Sequence, residues 1–258
     1  MPNRAILVET RDGVCTVTMN RPKFLNAFNH EIGPGLQEAF DRAAADPAIR
    51  VVVLTGAGGN FSSGADMQLL AAGGEPGERL GMMKELSRLI RTMRTLPLPV
   101  ISKVRGVAYG VGSNLALGAD FAVASDDARI CEVFVNIGVI MDGGGTYLLP
   151  RLVGLAKAKE IALLGEEISG KTAASVGLIY RSVPEPELDR AVAELAAELS
   201  KKSRAALALL KEGLEGSLGM TLDQVLEWEA SHQSIMLQTP EHKEAVCQFF
   251  KSRGKKAG

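Results

Sequence analysis

The chain has 258 residues, of which 46% are apolar and 23% are charged, as in an ordinary globular protein of one large or two small domains. Its formal net charge of −1 argues against broad binding to nucleic acids or anionic membranes, which requires an excess of basic residues. No apolar run approaches the roughly 18 residues of a membrane span, and we expect no secretory signal.

Short strands and helices alternate along the first part of the chain. The β-rich segments Ala5–Glu9 and Val14–Asn20 flank the turn Asp12-Gly13, and this pattern predicts a hairpin. Apolar residues at helical spacing predict a helix over His30–Ala45, and the run Arg50–Thr55 predicts a buried strand.

The middle of the chain continues this alternation. The glycine-rich stretch Leu69–Arg79 is expected to be mobile, and a helix with an apolar face from Leu80 to Met93 follows it. From Glu187 onward the apolar spacing predicts helices only. The other predicted elements are the strands Val100–Val104 and Asp120–Ala124, a strand-like segment that ends at Ile140, and the helices Gly112–Leu117 and Thr146–Leu164.

The counts of particular residue types narrow the chemistry. Three histidines and three cysteines lie in no zinc-binding pattern, so we expect no metal site, no disulfide framework and a reducing, cytoplasmic location. Seventeen of the 28 glycines lie between Gly56 and Gly154, which indicates close backbone approach or positive φ angles there. Catalysis is therefore expected to use carboxylates and backbone amides.

Two glycine patterns superficially suggest nucleotide binding. Gly165–Thr172 fits the P-loop expression, but a predicted helix precedes it instead of a strand, and its two glutamates would repel a triphosphate. We interpret it as a loop that starts a helix with Ser169 as the N-cap. After the strand Arg50–Thr55, Phe61 occupies the third glycine position of a dinucleotide-binding fingerprint, so that pattern is also incomplete.

Two strand-to-helix turns are lined with small residues, at Phe61–Met67 and Gly106–Asn114. Each would expose backbone N–H groups at a helix N-terminus, where they carry partial positive charge and lack an intrahelical partner. Two such groups that converge form an oxyanion hole, although for either turn alone an ordinary tight turn is the favoured interpretation.

Five motifs, spread over nearly the whole chain, together resemble the crotonase, or enoyl-CoA hydratase/isomerase, superfamily. They are Asn20–Ala27, Ser63–Asp66, Pro99–Gly106, Gly143–Gly154 and Phe249–Arg253. The resemblance implies an α/β fold, with a crotonase-like spiral of repeated ββα units over residues 1–195 that binds acyl-CoA. It implies a helical segment over residues 196–258 that forms trimers, or dimers of trimers, and completes the CoA site. Coenzyme A would be part of the substrate, with no covalently bound cofactor and no nucleic-acid or membrane partner.

The resemblance also assigns residues by position. The backbone amides of Ala65 and Val111 would hold the thioester oxygen of an acyl-CoA, because a developing enolate needs preorganised donors in a dry site. Lys23, Lys251 and Arg253 are candidates for the CoA phosphates, with solvated surface charge as the alternative. The residues that would contact CoA or the acyl group are Lys23, Leu25, Ala27, Ser63, Gly64, Asp66, Met67, Gly110, Asn114 and Phe134.

The sequence departs from the hydratases of this family at two positions. Those enzymes use two glutamates to activate water, and the corresponding positions hold Asn114 and Phe134, neither of which can accept a proton. Glu132 would lie on the same face as Phe134 if that segment were a strand, and it is a weaker substitute. Efficient hydration is therefore not expected.

Asp142 is the carboxylate that fits an isomerase. It resembles the acidic residue of a branch that includes Δ3-to-Δ2 enoyl-CoA isomerases and the ring 1,2-epoxyphenylacetyl-CoA isomerase. One carboxylate can move a proton between two carbons, and Phe134 and Val135 would be apolar walls that raise its pKa. The alternative for Asp142 is a turn or N-cap residue.

Other functions stay open at this level. They are hydration that uses Glu132, thioester hydrolysis, and a non-catalytic family member that binds acyl-CoA or RNA.

Overall fold

The computed structural model describes residues 5–73 and 75–252, and the chain divides into an α/β unit that ends at Ser200 and a helical unit that begins at Lys201. The boundary expected between residues 195 and 196 falls inside the last helix of the first unit. The strands, in chain order, are β1 (Ile6–Arg11), β2 (Val14–Met19), β3 (Val51–Gly56), β4 (Val100–Val104), β5 (Val107–Tyr109), β6 (Phe121–Ser125), β7 (Arg129–Cys131), β8 (Ile168–Ser169) and β9 (Arg181–Val183). The helices are α1 (Ile32–Ala45), α2 (Met67–Ala71), α3 (Pro76–Thr95), α4 (Val111–Leu117), α5 (Gly145–Leu164), α6 (Gly170–Ser175), α7 (Leu188–Ser200), α8 (Arg204–Ser217), α9 (Leu222–Met236) and α10 (Pro240–Ser252).

Two sheets organise the first unit. The larger has the strand order β1-β2-β3-β4-β6-β9, in which β1 and β2 are antiparallel and every other pair is parallel. The smaller has the order β5-β7-β8. Successive ββα units place their first strand, β4 or β6, in the large sheet and their second, β5 or β7, in the small one. This repeat confirms the predicted α/β fold of crotonase type.

The central strands of the large sheet, β3 and β4, are buried on both faces. Along β3, Val52 and Leu54 pack into the main core with α1, α3 and α4, whereas Val51 and Val53 pack with α7. Because side chains alternate across a strand, the continuous apolar run of β3 supplies two layers at once.

Several sequence expectations are confirmed. The hairpin turns at Asp12 (φ +50°) and Gly13 (φ +78°), as a two-residue turn requires. Ser169 caps α6 by accepting the Thr172 N–H at 3.0 Å, so the P-loop match is a helix start. Helices alone follow Leu188 within the described residues.

One expectation is wrong, and the mobility expected for Leu69–Arg79 stays a prediction. The described part of that stretch is largely helical, because Pro76 begins α3 and the Glu78 carboxylate accepts the Glu75 N–H at 3.3 Å; Gly74 lies outside the described residues. The segment before Ile140 is not a strand: Val133–Ile137 is a 3₁₀ turn that ends at Gly138 with φ +74°.

The helical unit has little core of its own. In α8 and α9 no described residue is fully buried, and Leu210, Leu214 and Leu222 are 60%, 70% and 72% exposed. The trimer implied by the family resemblance stays a prediction. Within the described residues, no helix combines the length and the apolar character that crossing a membrane requires.

Candidate active site

The two small-residue turns lie side by side. Ser62 pairs with Ala108 in a parallel bridge, in which the Ser62 N–H donates to Val107 O and the Tyr109 N–H donates to Ser62 O, both at 3.0 Å. A Cβ added at Gly64 would lie 3.9 Å from the Gly110 Cα, so the residues that precede Ala65 and Val111 lie close together.

Within the described residues, the backbone N–H groups of Ala65 and Val111 donate no hydrogen bond, whereas the adjacent N–H groups of Asp66 and Gly110 do. Asp66 N–H donates to Phe28 O at 3.0 Å, and Gly110 N–H donates to Cys131 O at 2.9 Å. Neither the Ala65 N–H nor the Val111 N–H donates to any acceptor in the described part of the chain. Val111 opens α4, where the helix dipole adds partial positive charge.

Glycines allow the close approach of the two turns. A Cβ added at Gly64, where φ is +92°, would lie 2.6 Å from the Tyr109 carbonyl oxygen, and one added at Gly112 would lie 2.6 Å from the Ser62 carbonyl oxygen. Gly110, with φ +52° and ψ −121°, takes a backbone conformation that side chains disfavour. Gly64, Gly110 and Gly112 of the glycine-rich region are therefore needed for the close approach and the backbone conformation of the two turns.

Asp142 lies in the loop before α5, against the first turn of α4. A Cβ added at Gly143 would lie 3.7 Å from Val111 Cγ2 and 3.1 Å from Asn114 Cβ. The buried Asp142 Oδ1 has no hydrogen-bond partner among the described residues. Burial raises the pKa of Asp142 to about 6, although a hydrogen bond from its own backbone opposes the rise.

Asn114 is fully buried and joins Asp142 to a second carboxylate. Its Nδ2 donates to the Asp142 backbone oxygen at 2.9 Å and to Glu132 Oε2 at 3.3 Å. Both partners accept hydrogen bonds, which fixes the orientation of the amide.

Glu132 is 1% exposed, and burial raises its pKa to about 7. The side chains of Ser113 and Asn114 lower that pKa, and the negative charge of Asp142 raises it. The sequence suggested Glu132 only as a substitute for an absent glutamate, and it contains no signal for the bond to Asn114.

Phe134 and Glu132 do not share a strand face, because their segment leaves β7 and turns into the 3₁₀ conformation. The ring of Phe134 lies against Gly110, where an added Cβ would be 3.5 Å from Cζ. Val135 is 44% exposed and lies beside Gly165. Phe134 thus borders the turn that carries the Val111 amide.

The segments Lys23–Ala27 and Ser63–Met67 are joined, as a shared CoA site requires. Ser63 N–H donates to Leu25 O at 2.9 Å, and Arg21 donates both to Ala27 O at 2.7 Å and to the Asp66 carboxylate at 3.0 Å. Asp66 also caps α2 by accepting the Gln68 N–H at 3.1 Å. The Asp66 side chain and the Leu25 and Ala27 carbonyls therefore help to build the site.

The exposed members of the predicted CoA set are Lys23, Leu25 and Met67. Lys251 is exposed on α10 of the helical unit, and Arg253 lies outside the described residues. In the described part of the chain, no group of three His, Cys, Asp or Glu side chains could hold a metal ion.

The comparisons with known proteins show the family of the chain. The sequence pattern of the enoyl-CoA hydratase/isomerase family matches residues 9–256. The chain is 36% identical to the 1,2-epoxyphenylacetyl-CoA isomerase of Escherichia coli K12, with 96% of each chain covered. It is also 36% identical to a probable enoyl-CoA hydratase of Rhodobacter capsulatus, covering 98% of this chain and 97% of that one.

Solved structures match equally well. A crystal structure of an enoyl-CoA hydratase from Polaromonas sp. JS666 superposes with a TM-score of 0.93 at 31% identity, covering 96% of this chain and 97% of the other.

Proposed function

The chain belongs to the enoyl-CoA hydratase/isomerase family, and on that premise we propose that it is an acyl-CoA isomerase in which Asp142 is both acid and base. One observation carries the proposal. The Asp142 carboxyl lies in the loop packed on Val111, and the two positions that would hold a hydratase's glutamates hold Asn114 and Phe134. Coenzyme A is then part of the substrate.

The amides of Ala65 and Val111 would bind the thioester oxygen. As the proton leaves the carbon next to the carbonyl, negative charge accumulates on this oxygen, and donors already fixed in place stabilise it without reorganisation. Loss of one such donor typically costs about 3–4 kcal/mol in the transition state.

Asp142 would move the proton. Its ionised form removes a proton from C2 of a 3-enoyl thioester, and the electron pair spreads over the diene and the carbonyl oxygen as a dienolate. The protonated carboxyl then returns the proton to C4, which leaves the double bond between C2 and C3. A pKa of about 6 suits both steps, because the group is mostly ionised near neutral pH and still donates readily.

Two kinds of thioester fit this chemistry. The Escherichia coli relative is named for a ring epoxide, and a Streptococcus mutans relative at 29% identity is named a trans-2-decenoyl-[acyl-carrier-protein] isomerase. Straight-chain enoyl and ring-epoxide thioesters are therefore the substrates to compare.

Hydration is the second candidate. The Rhodobacter capsulatus relative is named a probable hydratase, and the buried Glu132 lies in the same hydrogen-bonded cluster as Asp142. Isomerisation is favoured because it needs one proton-transfer group, whereas hydration must handle protons at both the water and the carbon.

Asp142→Asn tests the proposal. The purified protein should isomerise a 3-enoyl-CoA or a ring-epoxide thioester, and the variant should lose about 10²- to 10⁴-fold in kcat, the usual contribution of a general acid–base. Asp12→Asn is the matched control: it makes the same change in the exposed hairpin turn, where Asn also tolerates positive φ, and should keep full activity. A near wild-type rate for Asp142→Asn, or rapid hydration of crotonyl-CoA, would contradict the assignment.

A further inference from the structure

Glu132 is a buried carboxyl to which the proposed reaction gives no role. It is 1% exposed, its Oε1 has no hydrogen-bond partner within the described residues, and no cation contacts it there. Without a cation, this buried carboxyl is neutral below its raised pKa of about 7 and carries a costly charge above it.

Its position links it to the reacting groups. The Asn114 amide contacts the Glu132 carboxyl and the Asp142 backbone at once, and Asn114 lies one helical turn after Val111 on α4. A shift of the Glu132 side chain would therefore move the Asn114 amide, and with it the loop that carries Asp142.

The titratable and polar groups around Glu132 come from three elements. Asp142 faces it from the loop before α5, Ser113 and Asn114 face it from α4, and Cys131 precedes it on β7. Burial raises the pKa of Cys131 to about 11, so this thiol is neutral. Arg129 on β7 pairs with Glu167 at 3.8 Å instead. Asp142 is therefore the charged group that acts on Glu132.

We propose that Glu132 is a positioning residue for Asp142: through the Asn114 amide it holds the Asp142 backbone, and its charge acts on the Asp142 carboxyl and the dienolate. This inference rests on the proposed function. Neutral Glu132 supports the reaction, whereas ionised Glu132 adds a second buried negative charge beside a site where an anion must form.

We therefore expect the rate to rise and then fall as the pH increases. Activity should rise as Asp142 ionises, with an apparent pKa of about 6, and fall as Glu132 ionises, with an apparent pKa of about 7. Because the two groups interact, these values belong to the pair.

Glu132→Gln tests this directly, since glutamine keeps an acceptor for Asn114 and removes the charge. We expect the variant to keep the acid limb and lose the alkaline one, so that its kcat exceeds that of the wild type by about tenfold near pH 8. KM should not change, because Glu132 is given no contact with the substrate. Cys131→Ser, which keeps a donor for Gly165 O on the adjacent residue, should retain the wild-type profile.

A second measurement does not depend on catalysis or on the folding of Glu132→Gln. The ¹³C resonance of the Glu132 carboxyl is titrated in the wild type and in Asp142→Asn, and its midpoint should move to lower pH when the Asp142 charge is removed. A wild-type pH profile for Glu132→Gln, or an unchanged Glu132 midpoint, overturns the inference. If Asp142→Asn is fully active, the proposed function fails instead, and the resonance still reports the coupling.

Discussion

The candidate site has two sides, one formed by backbone amides and one by carboxyl groups, and they tolerate different changes. The amide side consists of backbone at Gly64-Ala65 and Val111-Gly112. It has no room for larger side chains, because a methyl added at Gly64 or Gly112 would meet a carbonyl oxygen at 2.6 Å. The carboxyl side consists of Asn114, Glu132 and Asp142. It is sensitive to charge, because burial disfavours the ionised form of both carboxyls and raises their pKa values. Small changes of volume should therefore break the first side, and small changes of charge the second.

Gly64→Ala should give the largest effect on the amide side. The new methyl cannot coexist with the Tyr109 carbonyl, so the two turns must separate and the Ala65 amide must move away from the thioester oxygen. We expect kcat/KM to fall by about 10²- to 10³-fold, the usual loss for one oxyanion donor. Steady-state kinetics on the substrate that Asp142 isomerises would measure it.

Gly59→Ala separates backbone strain from the clash. Gly59 also has a positive φ, +77°, but an added Cβ there meets nothing within 4 Å. This variant should lose some stability and keep its activity. Equal kinetic losses in both variants would mean that backbone strain, and not the separation of the turns, causes the effect.

Glu132→Gln should stabilise the protein at high pH. The pKa of Glu132 rises from 4.5 to about 7 on folding, so the native state binds more protons than the unfolded chain between these values. The free energy of unfolding of the wild type therefore falls as the pH rises through this window. At ~1.4 kcal/mol per pH unit, the variant should gain about 3 kcal/mol over the wild type above pH 7, and almost nothing near pH 4.

Urea unfolding at several pH values measures this difference. Glu38→Gln, in an exposed ion pair with Arg42, is the control and should change the stability by less than about 0.5 kcal/mol at every pH. A gain for Glu132→Gln that does not depend on pH would show that the Glu132 charge is not responsible.

The same contrast explains which parts of the molecule could be predicted from the sequence. The run Val51–Leu54 is continuously apolar, which predicts a strand buried on both faces. In the structure, each of its faces meets a separate apolar layer. The three-residue strands β5 and β7 were not predicted as strands, since they are too short for a periodic signal and exist through their register with each other. The segment that ends at Ile140 was expected to be strand-like, but Gly138 has a positive φ of +74° and the Val139 N–H donates to Phe134 O at 3.1 Å.

Within the candidate site, the sequence indicates single residues but not the contacts between them. Ala65, Val111 and Asp142 each follow a glycine turn or precede one, which is visible in the sequence. The bond between Asn114 and Glu132 joins residues 18 positions apart. It forms because α4 and β7 meet through the parallel register of β5 and β7, which a single sequence does not reveal.

Asn114→Leu should give the smallest effect, and it tests the link between the two carboxyls. Leucine has a similar volume but removes the donor to the Asp142 carbonyl and to Glu132, so the loop before α5 loses one hydrogen bond worth about 1 kcal/mol. We expect kcat to fall about tenfold, measured by steady-state kinetics. Asn136→Leu removes an amide–carbonyl bond, 2.8 Å long, from an exposed residue to Gly165 at the other end of α5, and should cost less stability while kcat is unchanged. Equal kcat losses in the two variants would mean that Asn114 acts only through general stability, because the carboxyl side should respond to the contact at Asp142 and not to a distant bond of the same kind.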